Sequence, residues 1–259
     1  MSYWTDVDLH EHPERLASHR ALISLGHDEY WSAAMRAGAQ TALQQGLNIA
    51  FLGANACYRQ IRLEPSPLGV DRHVVCYKSA AEDPMTGQNN ALVTVNWDQP
   101  PVSSPESTLT GGMYQDVDAS ADMVVTDPSH WLLAGTGLTA GQRLAHAVQG
   151  EFDRYVPGPS APADADIVAH SPVPNRQGNY SDVTWFTVVG GGGVVDTGNA
   201  SWVGQLANAP LIPSNVLQSA EPGVTEHLLR IMINVYSVLG MAPASITHPS
   251  TGNWRFVLL

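Results

Sequence analysis

The chain has 259 residues, enough for one large domain or two small ones with a substantial buried core. Its 24 Asp and Glu residues against 12 Lys and Arg give a formal charge of −12, which argues against nucleic acid and anionic membranes as partners, because both need a basic surface. No apolar run is long enough to cross a bilayer, and the first residues lack the basic and apolar segments of a secretory signal. We therefore predict neither a membrane span nor a signal peptide in this chain.

The first fifth of the chain has the pattern of a strand–helix–strand unit. After a strand-like opening at 2–9, the apolar run 20–25 indicates a buried parallel strand, and 48–52 indicates a second one. Between them, 31–45 has apolar residues at helical spacing and stops before Gly46, a residue suited to closing a helix. These elements predict an α/β fold with an open, mostly parallel sheet flanked by helices.

The rest of the chain is expected to complete the same domain, which we predict to span residues 1–259. Segment 98–112 is rich in Pro, Ser, Thr and Gly and is predicted to form a long surface loop, and 226–239 is predicted to form a firmly packed helix. Strand-like segments lie at 72–78, 91–97, 165–169, 183–189 and 193–196, the last three forming a small sheet that finishes the fold.

Polar and aromatic residues follow both strands of the first unit. GHDEYWS occupies 26–32 and GANACYR occupies 53–59. Ligands of open α/β sheets bind outside the carboxyl ends of the strands, so both segments are expected to face one crevice. His27 belongs to the first segment, and the residues alone leave open whether it serves this site or bonds to the loop backbone.

Two tyrosines and a glutamate are candidate ligands of a hard cation. Tyr30 and Tyr58 occupy equivalent positions after the two strands, 58 − 30 = 28 residues apart. Phenolate is an anionic oxygen ligand, but residue pattern alone favours two half-buried tyrosines that pack the loops. Glu151 follows a glycine, and by itself it is better interpreted as a surface carboxylate paired with Arg154 or Arg143.

Cys57 is a candidate nucleophile because GANAC after a strand resembles a nucleophile elbow. Arg59 stands where such a turn usually has its second glycine, so a buried, inert thiol is the favoured interpretation. Pairing of Cys57 with Cys76 is open, but two reduced thiols are favoured. Zinc motifs are absent, and the glycine run 190–193 lacks the order of a dinucleotide-binding motif.

Six segments in fixed order resemble a known family. SLGHDEYWS, FLGANACYRQIRLEPS, VVCYK, the proline loop 102–113, AGTGL and QGEFDR are similar to the C-terminal domain of the N,N-dimethylformamidase large (beta) subunit and its relatives. The resemblance covers about residues 2–255. It implies a class I glutamine amidotransferase-like (flavodoxin-like) fold, with the chain starting at the second strand of the domain.

The resemblance also implies a site and a reaction. Tyr30 of HDEYW, Tyr58 of NACYR and Glu151 of GEFD would hold a mononuclear ferric iron, and His27 and Asn55 would orient substrate or relay protons. The implied function is iron-dependent hydrolysis of a small amide; the alternative is a non-catalytic α/β binding or accessory module that retains the fold. A homo-oligomer and a complex with a separate partner subunit both stay open, as does the compartment.

Overall fold

The computed structural model describes residues 1–176, 178–207 and 221–259. Its strands are β1 (Ala21–Leu25), β2 (Tyr30–Ser32), β3 (Asn48–Leu52), β4 (Arg59–Ser66), β5 (Gly69–Val75), β6 (Met113–Val124), β7 (Arg143–Arg154), β8 (Asp166–Pro172), β9 (Tyr180–Thr187) and β10 (Gly193–Asp196). Its α-helices are α1 (Asp6–Glu11), α2 (Ala33–Gln44), α3 (Ser107–Thr110), α4 (Trp202–Leu206), α5 (Pro222–Leu239), α6 (Ala244–Thr247) and α7 (Trp254–Val257), and 3₁₀ helices occupy Pro13–Ser18, Asn90–Leu92 and Trp131–Leu133.

The central sheet has five strands in the order β1-β3-β10-β9-β8. β1, β3 and β10 are parallel, whereas β9 pairs antiparallel with both β10 and β8. The α/β prediction is confirmed, but the sheet is mixed rather than mostly parallel. The physical reason is the glycine turn between β9 and β10, since so short a connection allows only antiparallel pairing. β8, β9 and β10 extend the main sheet instead of forming a separate one, because β10 pairs with β3.

The predicted strand–helix–strand unit is confirmed as β1, α2 and β3. Ala21 pairs with Asn48 and Leu25 with Leu52 in parallel register. Successive side chains of a strand point to opposite faces, and β3 is buried throughout. Its odd-numbered residues join the apolar cluster under α2, and its even-numbered apolar residues join the cluster under α5. β3 therefore lies between two cores, and its carboxyl end is rigidly placed.

Two predicted strands are wrong. Segment 2–9 contributes to helix α1, because Thr5 accepts a hydrogen bond from the Asp8 amide and the Asp8 carboxylate accepts one from Thr5, a reciprocal cap that favours a helix start. Segment 91–97 forms no strand but a 3₁₀ turn and an isolated bridge. The proline-rich loop also differs from prediction, since it ends in helix α3 with Leu109 fully buried.

Strands β2 and β4 were not predicted, and they place the site. They pair in parallel, with Tyr30 opposite Arg59, so the segments that follow β1 and β3 run side by side. β6 and β7 form a long antiparallel pair that reaches the same edge.

No helix in the described ranges combines the length and apolar character that crossing a bilayer needs.

Candidate functional site

The two polar segments after β1 and β3 meet through their backbones, as predicted. The Cys57 amide donates to the Asp28 carbonyl at 2.9 Å, and the Tyr58 amide donates to the Glu29 carbonyl at 3.0 Å. Glycine is required at the closest approach, because a Cβ on Gly53 would lie 1.9 Å from the Gly26 carbonyl oxygen. The result is one continuous polar edge built from two distant parts of the sequence.

β7 brings two carboxylates to this edge. Both oxygens of Asp153 accept the backbone N–H of Asn55, at 2.8 and 3.0 Å. This contact holds Asn55 in the left-handed region, with φ of 59°, which Asn tolerates better than most residues. The Asn55 side-chain amide then donates to Glu151 Oε1 at 3.3 Å. Residues 151 and 153 therefore act on the same loop residue, one through its side chain and one through its backbone.

His27 lies between two carboxylates. Its Nδ1 is 2.6 Å from Glu151 Oε2, and its Nε2 is 3.0 Å from Glu29 Oε2. Hydrogen bonds to Glu151 and then to Glu29 raise the pKa of His27 to about 10, so the ring is an imidazolium at neutral pH. Burial acts to raise the pKa of Glu29, but hydrogen bonds from His27 and Arg59 outweigh it and lower that pKa. The cluster is thus a cation held by anions.

Tyr58 lies beside this cluster, and its ring packs against that of Tyr114. The rings of Tyr58 and Tyr114 are 4.9 Å apart, and the Tyr58 hydroxyl accepts a hydrogen bond from Asn96 at 2.7 Å. Burial, followed by the charge of Glu151, raises the pKa of Tyr114 to about 12. Burial also raises the pKa of Tyr58. Both phenols are therefore neutral at pH 7.

Tyr30 is placed differently. Its hydroxyl accepts a hydrogen bond from Lys78 Nζ at 3.2 Å, and the same ammonium lies 5.5 Å from the ring centroid. Among the described residues, hydrogen bonds join Glu151 to His27 and Asn55, and none joins either predicted tyrosine ligand to Glu151. The structure thus brings His27, Asn55 and Glu151 into direct contact and leaves Tyr30 at the margin.

The donor atoms near this cluster suit a hard cation in type. Within the described part of the chain, no group of three or more His, Cys, Asp or Glu side chains is arranged to hold a metal ion. Phenol and carboxylate oxygens are the hard ligands that a highly charged cation prefers. One buried acceptor beside Glu151, Asn55 Oδ1, has no hydrogen-bond partner among the described residues. The residue types at this edge are therefore ones that a hard cation takes.

Cys57 has the properties of an inert thiol. It is fully buried, and burial raises its pKa to about 12. Because the thiolate is the nucleophilic form of cysteine, this side chain is almost entirely unreactive at neutral pH. Cys76, partly exposed, is also a free thiol, so the predicted reduced state of both residues agrees with the structure.

Sequence reasoning missed Glu29 and Asp153. Glu29 stands two residues after His27, and Asp153 two residues after Glu151, and in extended chain such pairs share a side. That spacing could have identified Glu29. Asp153 was hidden because the segment around it was not recognised as strand β7.

Comparison with known proteins gives one family match. The family model described as N,N-dimethylformamidase beta subunit-like, C-terminal, matches residues 1–215 of the chain. The matched span contains both polar segments, β7 and Glu151. Comparison with curated proteins finds no match.

Proposed function

Since the chain belongs to the N,N-dimethylformamidase beta subunit-like C-terminal family, we propose that it is an amide-hydrolysing module whose site is the cluster of His27, Glu29, Asn55 and Glu151. The observation that carries this proposal is the imidazolium of His27, held between two carboxylates at the joint edge of the two loops. The glutamine amidotransferase-like version of the α/β fold is part of the same proposal.

Amide hydrolysis needs a proton donor on the leaving side. Water adds to the carbonyl carbon, the C–N bond breaks, and the amine nitrogen takes a proton as it leaves. His27 is protonated on Nε2 as well as Nδ1, and 41% of its side chain is exposed, so the leaving amine can take the Nε2 proton in place of Glu29, the longer of the two contacts. Glu151 keeps its contact with Nδ1 and holds the ring, and the proton that water loses returns to Nε2, so that the net reaction consumes only water.

Asn55 suits the positioning of water or substrate. Its amide group is fixed by Glu151 on the nitrogen side, while the oxygen is buried and unpartnered among the described residues. A buried acceptor without a partner costs about 1–3 kcal/mol, which a hydrogen bond from a bound molecule would recover. The attacking water is the donor that fits this place best.

Iron is part of the proposal. Tyr30, Tyr58 and Glu151 would hold a mononuclear ferric ion, with Glu29 as a further carboxylate on the same histidine. When bound, such an ion polarises a substrate carbonyl and lowers the pKa of a coordinated water. Lys78 and Asn96 donate to the two tyrosine hydroxyls in this structure, so those two hydrogen bonds would be exchanged on metal binding. Each Glu151 oxygen would keep its hydrogen bond, to His27 or to Asn55, and has a second lone pair to offer.

The test is release of dimethylamine from N,N-dimethylformamide by the iron-loaded protein. We expect Glu151→Gln to reduce the rate at least about 100-fold, because it removes a proposed iron ligand and the carboxylate that positions His27 for proton transfer. Glu14→Gln is the matched control, because Glu14 is an exposed carboxylate near the N-terminus. Equal rates for both variants, or no turnover by the wild type, would contradict the proposal.

The alternative is a non-catalytic α/β binding or accessory module. The observation that favours it is that the oxygens of Glu29 and both tyrosine hydroxyls already have partners within the chain. Saturable binding of N,N-dimethylformamide without amine release would support this alternative. The family description names a beta subunit, so assembly with a partner subunit or with further copies is compatible with both the hydrolase and the binding module. The molecular mass in solution tests for such assembly.

A further inference from the structure

Lys78 is the only lysine in a chain with a formal charge of −12, and it lies at the margin of the proposed site. Its ammonium donates at 3.2 Å to the hydroxyl of Tyr30, one of the three proposed iron ligands. The side chain is exposed, and it forms no ion pair with any described carboxylate. A lone exposed ammonium is therefore available to a ligand at this point.

The backbone around Lys78 is held in place. Its amide donates to the Thr94 carbonyl at 2.9 Å, and the Tyr77 amide donates to Thr94 Oγ1 at 2.8 Å. Thr94 in turn donates to the buried carboxylate of Asp83, which pairs with Arg62 at 2.8 Å. This buried network fixes Lys78 in the left-handed region, with φ of 60°, an uncommon conformation for a long side chain. The backbone position of Lys78, beside Tyr30, is thus set by the fold.

Lys78 differs from the other cation near Tyr30 in having no carboxylate partner. The guanidinium of Arg59 lies 2.8 Å from Glu29 and is paired with it. No described carboxylate lies within ion-pair distance of Lys78, whose ammonium contacts the Tyr30 hydroxyl instead. In a strongly acidic protein, a local positive charge at the entrance of a site attracts anions selectively.

We propose that Lys78 determines substrate specificity by binding a carboxylate of the substrate, so that the preferred substrates are amides that also carry a carboxylate, as N-acyl amino acids do. This inference rests on the proposed amide hydrolysis. It places the scissile amide at His27 and Asn55 and the anionic group beside Tyr30.

The first measurement compares two probes that differ in one charge, N-formylglycine and N-formylglycinamide. Formate release by the iron-loaded protein gives kcat/KM for each. In the wild type we expect N-formylglycine to be preferred, and in Lys78→Met the preference should fall about fivefold, the scale of a partly exposed ion pair. Lys78→Arg keeps the positive charge and should retain most of the preference for N-formylglycine. Arg20→Met is the matched control, since Arg20 is an exposed cation at the opposite end of β1.

The second measurement separates this inference from the proposed reaction. Binding of N-formylglycine to the metal-free protein is followed by calorimetry, for wild type and Lys78→Met. If neither probe is hydrolysed but Lys78→Met weakens binding, the hydrolase proposal fails and the role of Lys78 stands. If the two proteins bind N-formylglycine equally, or if the kcat/KM preference is the same in both, the role of Lys78 is overturned. Thermal unfolding of Lys78→Met checks that the fold is retained.

Discussion

The Nδ1 atom of His27 lies 2.6 Å from Oε2 of Glu151, across 151 − 27 = 124 residues of sequence. This contact joins the loop after β1 to the middle of β7, and Glu29 completes the pair of carboxylates around the ring. The contact raises the pKa of His27 and so favours the cationic ring, the form that the proposed function requires of a proton donor.

The pKa of His27 is the direct consequence of this contact. In metal-free protein we expect the ring to titrate near pH 10, and Glu151→Gln should move the titration down toward 6.5 because the larger of its two hydrogen-bond contributions is lost. The raised pKa stabilises the fold fully below pH 6.5, and this contribution disappears as pH rises through about 10. NMR of the histidine ring measures the titration of His27 in the wild type and in Glu151→Gln. Titration near pH 6.5 in the wild type would contradict the contact.

A second histidine should have the opposite effect on stability. His130 is almost fully buried, and burial lowers its pKa to about 4. Because the unfolded chain binds its proton first, stability is lost as pH falls from 6.5 through 4, by about 3 kcal/mol for this group. Urea unfolding of wild type and His130→Gln at pH 7 and pH 4 tests this. The variant should lose less unfolding free energy than the wild type between pH 7 and pH 4. An equal loss would contradict the lowered pKa of His130.

The close approach of the two loops predicts a sharp effect of one methyl group. In Gly53→Ala the new Cβ would meet the Gly26 carbonyl oxygen at 1.9 Å, so the backbones must separate. We expect a loss of about 1–3 kcal/mol of unfolding free energy, together with weaker binding at the site. Gly158→Ala is the control, since no atom lies within 4 Å of its added methyl group. Equal stability of the two variants would show that the loops are not so closely packed.

Cys57 offers a test against thiol chemistry. Its buried, neutral state predicts that Cys57→Ala retains amide hydrolysis within about a factor of three, with some loss of stability from the cavity left behind. Steady-state rates of dimethylamine release, measured beside thermal unfolding, distinguish the two effects. Loss of hydrolysis in a variant that remains folded would identify the thiol as the nucleophile instead.

The local residue pattern predicted those elements whose own residues have the periodicity of a strand or a helix. β1, α2 and β3 have continuous apolar runs or helical spacing, and their positions followed directly. β7 could not be predicted in this way, because Arg143–Arg154 contains Gly150 and several polar residues, and its pairing with β6 shifts register. The contact of Glu151 with His27 depends on that strand, so no local signal could show it from the residues. The mixed sheet was missed for a related reason, since the glycine turn makes β9 antiparallel to β10 but only the distant pairing of β10 with β3 brings both into the main sheet.

The two tyrosines show the limit of spacing arguments. They were predicted to occupy equivalent positions after β1 and β3, but the register pairs Tyr30 with Arg59, one residue beyond Tyr58. The side chains accordingly differ in their partners: Tyr58 lies beside Tyr114, whereas Tyr30 is bonded to Lys78. Glu29, one residue before Tyr30, is the side chain that reaches His27. Adjacent residues of an extended segment point in different directions, and only the fold decides which one faces the site.

Titration of the metal-free protein with ferric iron, followed by visible absorption, tests the proposed site most directly. We predict a tyrosinate-to-iron absorption band that saturates at equimolar iron and is strongly reduced in Tyr58→Phe and in Glu151→Gln. Tyr3→Phe, which changes an exposed tyrosine near the N-terminus, should leave the band intact. A protein that develops no visible band, or a band that Tyr58→Phe leaves unchanged, would contradict the assignment of this edge as an iron site.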